Sequence, residues 1–134
     1  MVVGHTLIII LVILQLGQLI NMMIVDILNE FRGNNGKPHI FCWDPVQNDY
    51  CEAHSHYLAW HDRFEHTPEY LLKGKSEAIG MSIYGRNNEE TIRRLIYDVL
   101  GTSQPHRNVI LNYSNLAYGF YVYDNKAYLT IRGW

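Results

Sequence analysis

Between Val2 and Val25 the chain carries no Asp, Glu, Lys or Arg, and residues Leu7 to Leu14 are wholly aliphatic. A helix needs about 20 apolar residues to cross a hydrocarbon core. A run this long restricts the chain to three possibilities: a membrane anchor, a cleavable signal peptide, or an unusually long core helix. Against cleavage, no Lys or Arg precedes the run, no small-x-small site follows it, and apolar residues continue through Met22, Met23, Ile24 and Val25. The sequence therefore predicts an uncleaved signal-anchor over residues 1–31. Gln15, Gln18 and Asn21 recur every three residues beside Gly17, on one drifting helical face. Amides in lipid seek partners and a glycine permits close approach, so these three residues are expected to contact another membrane helix. Orientation is not set, because Arg32 and Lys37 stand beside Asp26 and Glu30.

The remaining length suffices for one small domain. Eleven basic against 13 acidic residues, with no basic run, argue against a nucleic-acid surface. Neither phosphate-binding glycine loops nor an EF-hand loop is present. Residues 32–52 read as a linker and loop: Arg32-Gly-Asn-Asn-Gly-Lys-Pro38 disfavours helix, and Asp44-Pro45 and Asn48-Asp49 favour turning. This loop holds the two cysteines, Cys42 and Cys51. Their spacing is unlike a zinc knuckle, and closing the loop by a disulfide would stabilise by about 2–3 kcal/mol on the loop-entropy model. An anchored ectodomain suits that bond; two reduced, partly buried thiols are the alternative.

Residues 53–134 read as a small α+β domain of two to three helices followed by a C-terminal antiparallel meander. Ala53–Phe64 is a helix candidate, and Thr67-Pro68-Glu69 begins a short helix that Gly74 ends. The clearest helix starts at Asn88: Ile92, Leu95, Ile96, Val99 and Leu100 form one apolar stripe, and Glu89–Arg93 and Glu90–Arg94 are favourable pairs. Strands are expected over 109–113, 117–123 and 127–131, the last two joined by an Asp124-Asn125 turn.

Four of the seven histidines fall within Cys51–His66, a segment that invites a metal-site reading. Helical spacing does not let His54 and His56 chelate together, and His61 and His66 have only carboxylates at i±4. A metal site, a pH-responsive cluster and a solvated or partner-facing helix remain open, the last being the expectation. Tyr57, Trp60 and Phe64 share one helical face and are the expected partner contacts. Asp44, Asp49, Glu52, Asp62 and His61 could form acid–base pairs, but nothing fixes their separation. Asn112-Tyr113-Ser114 is a glycosylation sequon within an expected strand. No serine or cysteine nucleophile lies in a recognisable turn. The expectation is a non-enzyme without metal, cofactor or small-molecule substrate.

The block VVGHTLIIILVILQLGQLINMMIV, followed closely by Asp26, Glu30 and Arg32, resembles the leading segment of the small per os infectivity factors of baculoviruses. Their sorting signal usually shows a basic residue where this chain has Asp26, and residues 39–134 hold no motif of that group. The resemblance implies a structural subunit of a virion-envelope complex for oral infection of insect cells, reached through the host inner nuclear membrane. Its partners would be lipid and other anchored subunits of a hetero-oligomer. An accessory subunit of an organelle inner-membrane complex, and a membrane-anchored metal or redox enzyme, are the alternatives.

Overall fold

The computed structural model describes residues 2–40 and 44–134, and for 2–6 and 13–15 the backbone alone. Helix α1 runs unbroken from Val2 to Asn34. Helix α2 spans Pro45–His61 and α3 spans Glu69–Leu72. Strand β1 covers Ser76–Ile83, and α4 covers Asn88–Arg94 and continues through a π-helical turn, Leu95–Leu100. Helix α5 is Gln104–Leu111, and β2 (Leu116–Tyr123) and β3 (Lys126–Gly133) complete the chain. The three strands form an antiparallel sheet in the order β1-β3-β2, so the last strand lies in the middle.

Several expectations need correcting here. The segment 109–113 is not a strand but the last turn of α5, through Leu111, and its exit: Ser103 occupies the N-cap position and Pro105 lies in the first turn of the helix. Proline tolerates that position because its missing N–H is unpaired there anyway. Local helix-start chemistry overrode the β-branched content. The third strand is instead β1, so the sheet is not a consecutive meander. Asp44-Pro45 begins a helix rather than a turn, since the Asp44 carboxylate accepts the Gln47 N–H at 3.1 Å. The expected loop over 39–52 is therefore helical from Pro45 onward.

The boundary expected at residue 31 cuts through α1. Ile24, Ile27, Leu28 and Phe31 are buried in the domain's main core, with Leu95, Ile96, Leu100, Ile110, Leu129 and Ile131. Arg32, expected in a flexible linker, is itself buried. It donates to the carbonyls of Pro38 (2.9 Å), Ile110 (2.5 Å) and Tyr113 (2.9 Å), welding α1 to the end of α5. Cations suit a helix C-terminus because its last carbonyls carry partial negative charge.

Other expectations hold. The stripe on α4 is buried at Ile92, Leu95, Ile96 and Leu100. Both Glu–Arg pairs form, at 3.7 Å for Glu89–Arg93 and 3.2 Å for Glu90–Arg94. The capping residue is Asn87, whose side chain accepts the Glu90 N–H at 2.8 Å. Asn88 instead accepts from the Tyr84 hydroxyl. Asp124 and Asn125 both have positive φ, 50° and 62°, matching the twist of a two-residue hairpin turn.

Alternation along the strands gives the sheet two faces. Ala78, Leu116, Tyr118, Ala127, Leu129 and Ile131 meet α1, α4 and α5. Ile79 and Tyr128 meet α2 on the other side, with Leu58 and Ala59. Helix α2 lies almost on the backbone of β2. A Cβ built on Gly119 would stand 2.0 Å from the Glu52 amide nitrogen, so only glycine fits there.

Candidate functional site

At the start of β1 the apolar pattern is broken by Glu77, whose side chain is 1% exposed. The register places it directly across from Arg132 on β3. Arg132 Nε donates to Glu77 Oε2 at 3.1 Å, and its Nη2 donates to Thr67 Oγ1 at 2.9 Å. Thr67 closes the ring by donating its N–H to Oε1 (2.9 Å) and its hydroxyl to Oε2 (2.8 Å). His66 Nδ1 lies 3.1 Å from Oε1, and the nearly buried His54 approaches the same oxygen at 3.8 Å. Burial alone would raise the Glu77 pKa. The Thr67 N–H and hydroxyl, with His54 and His66, outweigh it and hold the carboxyl below its ordinary value.

The chain reversal after α2 builds this arrangement. Asp62 adopts the left-handed conformation, φ 48°, and ends the helix. Residues 63–68 then double back, so that the Glu65 carbonyl lies 2.8 Å from His54 Nε2 and Thr67 reaches Glu77. His106 on α5 joins from the side. Its Nδ1 is buried without a hydrogen-bond partner among the described residues. Burial first, then the charge of His66, depress its pKa.

A half-open cleft of about 620 Å³ lies over this network. Tyr50, Tyr57 and Leu71 supply apolar wall, while His54, His66, Lys73 and Lys75 supply polar groups. Tyr50 and Leu71 are largely exposed, as is Tyr70 beside them on α3.

The histidines are thus neither all solvated nor clustered as the helix alone would dictate. His54 is buried against Glu65 and Glu77, His56 stacks on Tyr121 at 3.5 Å, and His61 packs on Tyr57 at 4.6 Å. Among the described residues no three His, Cys, Asp or Glu side chains are disposed to hold one metal ion. Tyr57 is half-buried and donates to Glu65 at 2.6 Å, whereas Trp60 is exposed and donates to the Tyr121 hydroxyl at 3.0 Å. Phe64 lies beyond the end of α2 and does not continue its face. Asp44 and Asp62 serve the two ends of α2, and Glu52 lies 3.9 Å from His56; these groups do not converge. Asn112 caps α5 instead of lying in a strand.

Cys51 is buried inside α2, and burial pushes its thiol up to about 12. Cys42, the other half of the expected disulfide, lies outside the described residues. Gln18 is exposed and Asn21 half-buried on α1; Gln15 is described by its backbone alone.

The residues that sequence reasoning passed over are Glu77, Arg132, Thr67 and His106. Glu77 and Arg132 left a signal: Glu77 is the single charge in β1, and Arg132 interrupts the apolar run that follows Lys126 in β3. Fold and site together define a mixed helix-and-strand domain carrying an N-terminal helix long and apolar enough to cross a membrane. No protein-family model matches the chain, and no curated protein matches it.

Proposed function

We propose that the protein is a single-pass membrane-anchored, non-catalytic subunit that holds a partner protein in the cleft beside Glu77. The observation that carries the reading is the continuity of α1. Its residues Leu7–Val12, Leu16, Leu19 and Met22 expose large apolar side chains, while Ile24 to Phe31 form domain core in the same helix. An exposed apolar run of this kind is costly in water and favourable in lipid. From Val2 to Met22 the helix is about 30 Å long at 1.5 Å per residue, the thickness of a hydrocarbon core.

Binding is favoured over catalysis by how the site's groups are used. Both Glu77 oxygens already accept from structural donors, and the Cys51 thiol is protonated and out of reach. What the cleft leaves accessible is Tyr50 and Leu71 with two lysines, which suits an apolar partner segment bearing acidic groups. The likeness of residues 2–32 to the per os infectivity factors supports a virion-envelope complex for oral infection as its setting.

Alkaline carbonate extraction tests the anchor: the intact chain, retaining Met1, stays in the membrane pellet. Release into the supernatant, or a mature N-terminus near residue 25, refutes it. Mass spectrometry of co-purifying proteins tests the cleft. Leu71→Arg, on an exposed position, is expected to deplete the partners that wild type retains. Envelope proteins among them support the viral setting, and mitochondrial proteins support the organelle alternative.

A further inference from the structure

The two ends of the sheet lie at different distances from the anchor. Along α1, Phe31 packs edge-on against Tyr97 at 5.1 Å, and Glu30 pairs with Arg93 one turn earlier. Leu19, Met22 and Met23 then line a groove shared with Glu89, in the first turn of α4. Helix α1 therefore leaves the domain past the start of α4. The far end of β1 is fastened to that same place: Gly85 N–H donates to Thr91 Oγ1 at 2.8 Å, and Arg94 donates to the Ile83 carbonyl at 2.9 Å. Ile83 pairs with Lys126, which pairs with Tyr123, so the hairpin tip also lies at this end. Glu77, Arg132 and the cleft occupy the opposite end.

The anchor-side end carries an apolar surface that α2 leaves uncovered. Helix α2 runs along β2, from Asn48 beside Tyr118 to Trp60 beside Tyr121, and stops at His61. Met81 and Ile83 continue the face of Glu77 and Ile79 beyond its cover. Trp60 is 69% exposed, Ile83 66% and Tyr123 48%. The Trp60 and Tyr123 rings lie 6.1 Å apart, Lys126 stands across from both Tyr123 and Ile83, and Asp124 is the acidic residue at the turn. Trp and Tyr partition to the headgroup layer because each pairs an apolar ring with a polar tip.

We propose that this end of the sheet, around Trp60, Ile83 and Tyr123, rests in the lipid headgroup layer. The contact fixes the domain upright with its cleft facing away from the bilayer. The inference rests on the reading of α1 as a membrane anchor, and it adds a second, independent contact with lipid. Lys126 suits anionic headgroups, whereas Arg86 is paired with Glu90 at 2.7 Å, and α1 holds the surface at high effective concentration beside the bilayer.

The test uses the full chain reconstituted in phosphatidylcholine bilayers containing phosphatidylglycerol, with lipids brominated at shallow or deep acyl positions. Bromine quenches nearby indole fluorescence. Wild type is compared with W60F, and with I10W and Y70W each made in the W60F background. W60F is expected to remove about half or more of the shallow quenching, as an interfacial indole requires. I10W adds deep quenching, and Y70W, at the cleft end, restores none. If W60F leaves shallow quenching unchanged, or Y70W restores it, while I10W is quenched from deep positions, the inference fails and the anchor stands. If I10W is not quenched, both fall. Trp60 and Tyr70 are exposed, so their variants perturb folding little.

Discussion

The two faces of the central sheet are held down by different physics. On one, α1, α4 and α5 bring Ile, Leu, Val and Phe against Ala78, Leu129 and Ile131. On the other, α2 touches down at Gly119, and much of what is buried there is polar: Ser55 of the helix itself, and Thr130, Glu77 and Arg132 of the sheet. Apolar burial is non-directional, so the first face depends on volume and shape. Buried polar groups are costly unless each partner is present, so the second depends on pairing. The cleft beside Glu77 lies on the paired face.

That contrast predicts the largest single loss at Glu77. Glu77→Ala leaves the Arg132 guanidinium buried, 4% exposed, without its carboxylate. Removing one partner of a buried pair costs about 3–5 kcal/mol. Chemical denaturation of the full chain in detergent micelles should show it. The sharper form is the double variant Glu77→Leu with Arg132→Met, which removes both charges and should recover much of the loss. If the double variant is as unstable as Glu77→Ala, the pair is not what stabilises this face.

On the apolar face, Leu95→Ala is expected to cost about 2–5 kcal/mol, because Leu95 is fully buried against Gly80 and its neighbours cannot wholly collapse. An unchanged midpoint would mean that the stripe on α4 is not packed as described. Gly119→Ala probes the contact between α2 and β2 from the opposite direction, by adding an atom. A new Cβ 2.0 Å from a backbone nitrogen forces the helix to lift, at a cost of about 1–3 kcal/mol or somewhat more. Amide exchange in α2 should rise while α4 stays protected. Equal loosening of both faces would show that they are not separable.

Acid should distinguish the faces as well. The Glu77 pKa is depressed from 4.5 in the folded chain. Its stabilisation is therefore complete above about pH 4.5 and is lost as pH falls through the lower folded value. The effect is smaller than deleting the side chain, because burial works against ionisation. Glu77→Gln should flatten the acid limb of a stability-versus-pH curve, and an unaltered limb would assign it to other carboxylates.

Legibility followed the same division. The stripe Ile92–Leu95–Ile96–Leu100, the Glu–Arg pairs beside it and the Asp124-Asn125 turn were readable because each signal lies within a few residues. Helix α5 was misread because Val109, Ile110 and Leu111 resemble a strand when Ser103 and Pro105 are overlooked. Helix α1 was recognised as apolar. Nothing local, however, distinguishes Met22, which is exposed, from Ile24, which is buried. The site was barely legible: Thr67, Glu77 and Arg132 meet only once β3 inserts between β1 and β2, and no short-range pattern encodes that order.

The smallest expected effect gives the finest test of the paired face. Ser55 is fully buried in α2, where its hydroxyl donates to the Gly119 carbonyl at 3.0 Å and lies 2.9 Å from Thr130 Oγ1 on β3. One hydroxyl thus joins the helix to two strands. Ser55→Ala removes about 1 kcal/mol of net hydrogen bonding and leaves the Thr130 hydroxyl short of a partner. Thr130→Val, nearly the same shape, removes that orphan. If pairing governs this face, the double variant is closer to wild type than the sum of the two single variants, because two apolar groups replace a matched polar pair. A strictly additive double variant would show that Ser55 and Thr130 contribute independently. Helix α2 would then be held chiefly by Leu58, Ala59, Ile79 and Tyr128, and the contrast between the faces would be one of degree.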